Sequence, residues 1–235
     1  MRLLLISNST NAGEEYLRYP MNSIQEFLGR EPVKALFIPY AAVTFSFDLY
    51  EEKVKNRFRE AGHDIISIHH FDDPVRAVEE AEAIVVGGGN TWQLLKLIQD
   101  NGLIDPVRKK IASGTPYIGW SAGSNLACPT LRTTNDMAIT EPSSFEAFRL
   151  VPFQINPHYL DANPAGHAGE TREQRIEEFI EVNPGIYVVG LREGTMLLVE
   201  NGRMKLIGPR NARIFLRGNV PAEMSPSDDL SFLLQ

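Results

Sequence analysis

The chain has 235 residues, of which 43% are hydrophobic and 23% charged, with 18 glycines, a balance that excludes disordered and fibrous classes. A formal charge of −7 argues against a nucleic-acid partner, because it repels a polyphosphate backbone. No apolar run approaches the ~18 residues that cross a bilayer, the apolar run at Met1–Ser7 is too short for a secretory signal, and Cys128 is the single cysteine, so a cytoplasmic protein without membrane contact or intrachain disulfide is expected.

In chain order, short apolar runs at Leu3–Ile6, Ala35–Ile38, Ile65–Ile68, Ala83–Val86 and Tyr117–Gly119 read as strands. Between them, Asp48–Ala61, Pro74–Ala81, Thr91–Gln99 and Leu103–Ala112 carry apolar residues at helical spacing, as in Leu94, Leu95 and Ile98. The alternation predicts a doubly wound, mostly parallel sheet with helices on both faces, in one α/β domain spanning residues 1–235. Glu170–Glu181 reads as a charged amphipathic helix ended by Asn183-Pro184-Gly185. Strands follow at Ile186–Val189, Met196–Val199, Met204–Ile207 and Asn211–Leu216, with Asn201-Gly202 as the turn of a C-terminal β-hairpin and a polar tail from about Pro221.

Ligands of open α/β sheets sit beyond the carboxyl ends of the strands, and two such segments are unusual. The first is Gly119-x-Ser121-x-Gly123, between a predicted strand and the helical stretch Ser124–Cys128. Glycines flanking a serine at that junction permit a sharp turn that lifts the hydroxyl into a cleft, as a nucleophile requires. A serine N-cap between tightly packed glycines is the plainer alternative. The second segment is Val86-Gly87-Gly88-Gly89-Asn90-Thr91. It lacks the third glycine of a dinucleotide fingerprint and the Gly-Lys-Ser/Thr of a P-loop. A phosphate cradle, a turn capped by Asn90 or Thr91, and an oxyanion-hole donor facing Ser121 remain, with the last favoured.

A serine nucleophile needs a base, and the chain offers His63, His69, His70, His158 and His167. Adjacent His69 and His70 would face opposite ways on an extended segment, His63 follows Gly62 in a turn expected to be exposed, and His167 lies in a glycine-bounded loop. His158, whose backbone Pro157 restrains, is the preferred base. Its orienting acid is either Asp136 or Glu193, the latter directly after a predicted strand. No His-Glu-x-x-His or thiolate cage is present, so neither a metal nor another cofactor is expected.

The segments Val86–Thr91, Gly119–Thr130, Arg132–Met137, Gln154–His158 and Gly169–Ile176, in this order, closely resemble those of the peptidase E family, the α-aspartyl dipeptidases. The likeness extends weakly from Leu3 to about Gly208, and the tail past Arg217 adds nothing to it. The resemblance implies a serine peptidase on a flavodoxin-like fold similar to that of class I glutamine amidotransferases. It implies Ser121 as nucleophile, His158 as base, and Gly88 and Ala122 as oxyanion-hole donors, and it matches both Glu193 and Asp136 to proposed acidic positions. Glu193 is favoured, because it follows a strand end. The implied activity is hydrolysis of small acidic dipeptides with an N-terminal aspartate. Selecting that carboxylate needs a fixed cation, and Arg172 is the candidate, unless it merely pairs with Glu170 or Glu173. Hydrolysis of isoaspartyl or poly-aspartyl bonds, and a non-catalytic module that binds nucleotide or phosphate, are the competing functions.

Overall fold

The computed structural model describes residues 1–163, 165, 166 and 168–235, so His167 lies outside the described residues. The chain runs β1 (Leu3–Ile6), α1 (Met21–Leu28), β2 (Lys34–Ile38), α2 (Phe47–Glu60), β3 (Asp64–Ser67), α3 (Pro74–Glu80), β4 (Ile84–Val86), α4 (Thr91–Asp100), α5 (Ile104–Ala112), β5 (Tyr117–Trp120) and α6 (Ala122–Ala127). It continues through β6 (Gln154–Tyr159), α7 (Arg172–Val182), β7 (Val188–Arg192), β8 (Met196–Glu200), β9 (Arg203–Ile207), β10 (Ala212–Phe215) and β11 (Ala222–Met224).

The main sheet has the order β3-β2-β4-β5-β1-β8-β9. Its first five strands are parallel, and β8 and β9 join antiparallel to β1. Both faces of the central strands β1, β4 and β5 are covered, which is why these are buried at every position, whereas the edge strand β9 alternates, with Arg203 and Lys205 exposed. Leu3 and Leu5 of β1 pack with α3 to α6, whereas Leu4 and Ile6 pack with α1 and α2. A buried leucine in such a layer contributes about 2 kcal/mol. Asn201 and Gly202, both at positive φ, make the β8–β9 hairpin turn.

A second sheet, order β11-β10-β7-β6, was not legible in the sequence. Its β6 and β7 are parallel and the other pairs antiparallel. Pro157 breaks the strand signature of β6 but is tolerated because β6 is an edge strand. Side chains cover that edge: Asn125 Nδ2 and Thr133 Oγ1 donate to the Ile155 carbonyl (both 2.8 Å), and Asn135 Nδ2 donates to that of Pro157 (2.7 Å). Among the described residues no helix is long and apolar enough to cross a membrane.

Two histidine expectations are corrected. His63 is buried at 3% exposure, its Nδ1 accepting the Val33 N–H, because the turn after Gly62 folds back under β2. His69 and His70 do not diverge: Ile68–His70 forms a 3₁₀ turn rather than extended chain, and the two rings lie with centroids 4.0 Å apart.

Candidate active site

β1, β4 and β5 are parallel, so the segments after them, Ser7-Asn8, Gly87–Gly89 and Ser121, share one edge of the main sheet. Ser121 has φ 51° and ψ −111°, a conformation that few non-glycine residues adopt. The turn is held by close approach: a Cβ on Gly123 would lie 2.3 Å from the Val86 carbonyl oxygen, and Tyr117 donates its hydroxyl to the Gly123 carbonyl (2.6 Å). Ser121 occupies the N-cap position of α6 but its hydroxyl makes no capping bond. Instead Ser121 Oγ lies 2.9 Å from His158 Nε2.

His158 projects from a bulge in β6, where the register with β7 shifts between Pro157 and Tyr159 and His158 takes φ 54°. Such a bulge turns a side chain out of the strand's alternation. On the other side of the ring, Nδ1 lies 2.8 Å from Glu193 Oε1. Glu193 directly follows β7, and the next N–H, of Gly194, donates to buried Asn8 Oδ1 (2.8 Å). The structure therefore brings Ser121, His158 and Glu193 into one hydrogen-bonded line. All three side chains are partly exposed, which leaves the line open to a ligand.

Gly88 lies against this turn: a Cβ there would stand 3.1 Å from that of Ser121 and 3.0 Å from the Trp120 carbonyl. The Gly88 carbonyl accepts the Tyr50 hydroxyl (2.8 Å), which fixes the loop, and burial pushes that phenol up to about 12, so it stays a donor. Gly87 and Asn90 donate to Ile38 and Ala41, whereas among the described residues nothing accepts from the Gly88 N–H. The Ala122 N–H heads α6 and likewise lacks a partner there. Asn90 does cap α4, accepting the Gln93 N–H, so the glycine loop serves both as a turn and as a source of free donors.

Asp136 stands elsewhere. Its Oδ2 accepts the Thr91 N–H (2.7 Å) and hydroxyl (2.5 Å) at the start of α4, where the helix dipole favours a carboxylate, whereas the His158 ring bonds Glu193 and Ser121. It forms one wall of a cavity of about 230 Å³ lined also by Arg132, Thr133, Asn156, Arg172 and Arg175. Asn156 lines this cavity from β6, two residues before His158 on the same strand. Arg172 makes no ion pair among the described residues: Glu170 pairs with Arg175 and Glu173 with Arg213. Burial and then repulsion by Arg175 hold its guanidinium below the ordinary arginine value, offset in part by Asp136. A cation so placed is available to an anion. Arg192, by contrast, is committed to Asp161 and Glu223.

Two residues of this site had no assigned role in the sequence. Ser7 Oγ accepts the His158 N–H (3.0 Å) and donates to the Leu191 carbonyl (2.7 Å), and its own N–H donates to Thr195. Asn8 holds the turn after Glu193. Both are fully buried, and the only available signal was a polar Ser-Asn pair directly after an apolar strand.

The family model described as Peptidase family S51 matches residues 3–207. The chain is 52% identical over 234 residues to a peptidase E of Nostoc sp., covering 100% of this chain and 97% of the relative. It is 47% identical over 235 residues to a peptidase E of Streptomyces coelicolor, covering 100% and 95%. The crystal structure of a peptidase from an acI-B1 Actinobacterium superposes with a TM-score of 0.69 at 18% identity, covering 98% of this chain and 96% of that one, a likeness of fold.

Proposed function

Because the chain belongs to peptidase family S51 and is a peptidase, we propose that it is a serine-type dipeptidase that hydrolyses Asp-X dipeptides through an acyl-enzyme on Ser121. The observation that carries this reading is the line Ser121 Oγ, His158 Nε2 at 2.9 Å, His158 Nδ1, Glu193 Oε1 at 2.8 Å. With the Nδ1 proton donated to Glu193, Nε2 presents its lone pair to the serine hydroxyl.

Ser121 Oγ attacks the carbonyl carbon of the aspartyl residue while its proton passes to His158 Nε2. The carbonyl oxygen becomes an oxyanion facing the Gly88 and Ala122 N–H groups, which need no reorganisation to receive it. As the C–N bond breaks, the imidazolium returns its proton to the leaving amine, giving free X and an aspartyl ester. Water, deprotonated by the same imidazole, attacks that ester and releases aspartate and Ser121.

Arg172 is the reader of the substrate side chain. The chain is acidic overall, yet the cavity that Asn156 lines gathers Arg132, Arg172 and Arg175. A partly desolvated guanidinium without an ion-pair partner gains most from a bidentate carboxylate.

A panel of Asp-X, isoAsp-X, Glu-X and N-acylated Asp-X substrates tests the reading. Turnover of Asp-X at least a hundredfold above the others is expected. Preference for isoAsp-X or for internal aspartyl links would reassign the substrate class.

A further inference from the structure

Away from the candidate active site, α2 and the turn after β3 gather four side chains with metal-binding atoms. Asp48 and Glu51 stand about one turn apart on α2, and His69 and His70 face them. One donor atom from each of the four lies within 4.8 Å of those of the other three. We propose that Asp48, Glu51, His69 and His70 form a binding site for one four-coordinate divalent transition-metal ion of the Zn²⁺ type.

The arrangement depends on the 3₁₀ turn. On extended chain the adjacent imidazoles would point apart, but here the rings lie side by side and both Nε2 atoms address α2. His69 Nε2 is 3.0 Å from Asp48 Oδ1, and His70 Nε2 is 2.5 Å from Glu51 Oε2. A tetrahedral ion with bonds of about 2.0–2.1 Å sets its donors roughly 3.4 Å apart, so the cluster closes on a metal through small side-chain rotations. Asp48, exposed at the head of α2, has the freedom to make them.

Groups outside the quartet hold the donors in place. His69 Nδ1 lies 2.6 Å from the hydroxyl of buried Ser67. That hydroxyl can donate or accept, so the ring can carry its proton on Nδ1 and turn an Nε2 lone pair to the metal without losing its orientation. The Glu51 side chain is only 10% exposed, and its Oε1 accepts the Ser67 N–H (2.9 Å), leaving Oε2 toward His70. Among the described residues Lys55 is the one lysine or arginine paired with Glu51, at 3.8 Å and on the Oε1 side. Two imidazoles with two carboxylates match Zn²⁺ and its Co²⁺ surrogate, whereas Mg²⁺ and Ca²⁺ prefer all-oxygen sets. A bound ion would staple α2 to the carboxyl end of β3.

Calorimetric titration of the full chain with Zn²⁺, paralleled by visible absorption with Co²⁺, tests the site. One equivalent is expected, with a tetrahedral Co²⁺ spectrum, and Tm should rise by about 5–10 °C at a roughly hundredfold excess of Zn²⁺ over Kd. His69→Ala and His70→Ala should each weaken binding by at least about a hundredfold, and Ser67→Ala by about tenfold, as loss of an orienting group does. Asp48→Asn, at an exposed position that does not threaten the fold, should also weaken it, whereas His158→Ala should leave the stoichiometry at one. No binding in the micromolar range, or binding that survives in the His69 and His70 variants or in Asp48→Asn but disappears in His158→Ala, would overturn the proposal.

Discussion

At single residues, two carboxylates that look alike in the sequence have different partners. Glu193 meets His158 Nδ1, and Asp136 receives Thr91 at the head of α4. Replacing a triad acid by its amide costs up to about 10⁴ in kcat, or roughly 5 kcal/mol. Steady-state kinetics should therefore show Glu193→Gln losing at least about a hundredfold in kcat, while Asp136→Asn acts chiefly on KM through the arginine cavity. Equal losses in kcat would remove the distinction. Arg172→Met should lower kcat/KM for Asp-X by about a hundredfold or more and for Asn-X far less, since only the charged side chain loses a salt-bridged partner. Parallel losses on both substrates would shift the role to Arg132, because Arg192 is already paired.

At the element scale, what was legible in the sequence follows burial. β1, β4, β5 and the part of β2 after Lys34 are buried because helices cover both faces, and their positions read directly from the chain. So did Gly119-x-Ser121-x-Gly123, whose glycines answer to backbone contacts within its own turn and with β4. β6 and β11 did not read as strands: β6 contains Pro157 and a bulge, and β11 is a three-residue edge strand with exposed positions. Besides the β6–β7 ladder, ion pairs tie β7 to β11 and to the segment after β6. Arg192, at the end of β7 beside Glu193, pairs with Asp161 and with Glu223 of β11. Arg192 lowers both carboxyls below their ordinary values. Their contribution to stability is thus present above the ordinary carboxylate range and lost as pH falls through the lowered values. Partial exposure of both acids screens it. Arg192→Met should cost about 1–2 kcal/mol near neutrality, and the deficit should shrink in acid when urea unfolding is followed against pH. A deficit independent of pH would assign the loss to packing instead.

At the scale of the whole molecule, the candidate site is assembled from two sheets, and Ser7 is where they meet. Ser121 comes from the main sheet, His158 and Glu193 from the second, and Ser7 at the end of β1 binds both β6 and β7 through one hydroxyl. No local pattern could reveal this, because the partners lie 151 and 184 residues away. Ser7→Ala leaves the His158 N–H and the buried Leu191 carbonyl without their partner, which should cost about 1–3 kcal/mol. It should lower kcat by about ten- to a hundredfold with KM nearly unchanged, because His158 loses the anchor of its bulge while the arginine cavity stays intact. Wild-type kcat with lowered stability alone would make Ser7 purely structural.

A covalent aspartyl ester on Ser121 would be visible in acid-quenched mass spectrometry of the intact protein during turnover of an activated aspartyl ester. One aspartyl group per chain is expected, mapping to the peptide that contains Ser121 and absent from a folded Ser121→Ala variant whose kcat falls about a millionfold. An unmodified wild-type chain under those conditions, together with turnover by Ser121→Ala within tenfold of wild type, would contradict it.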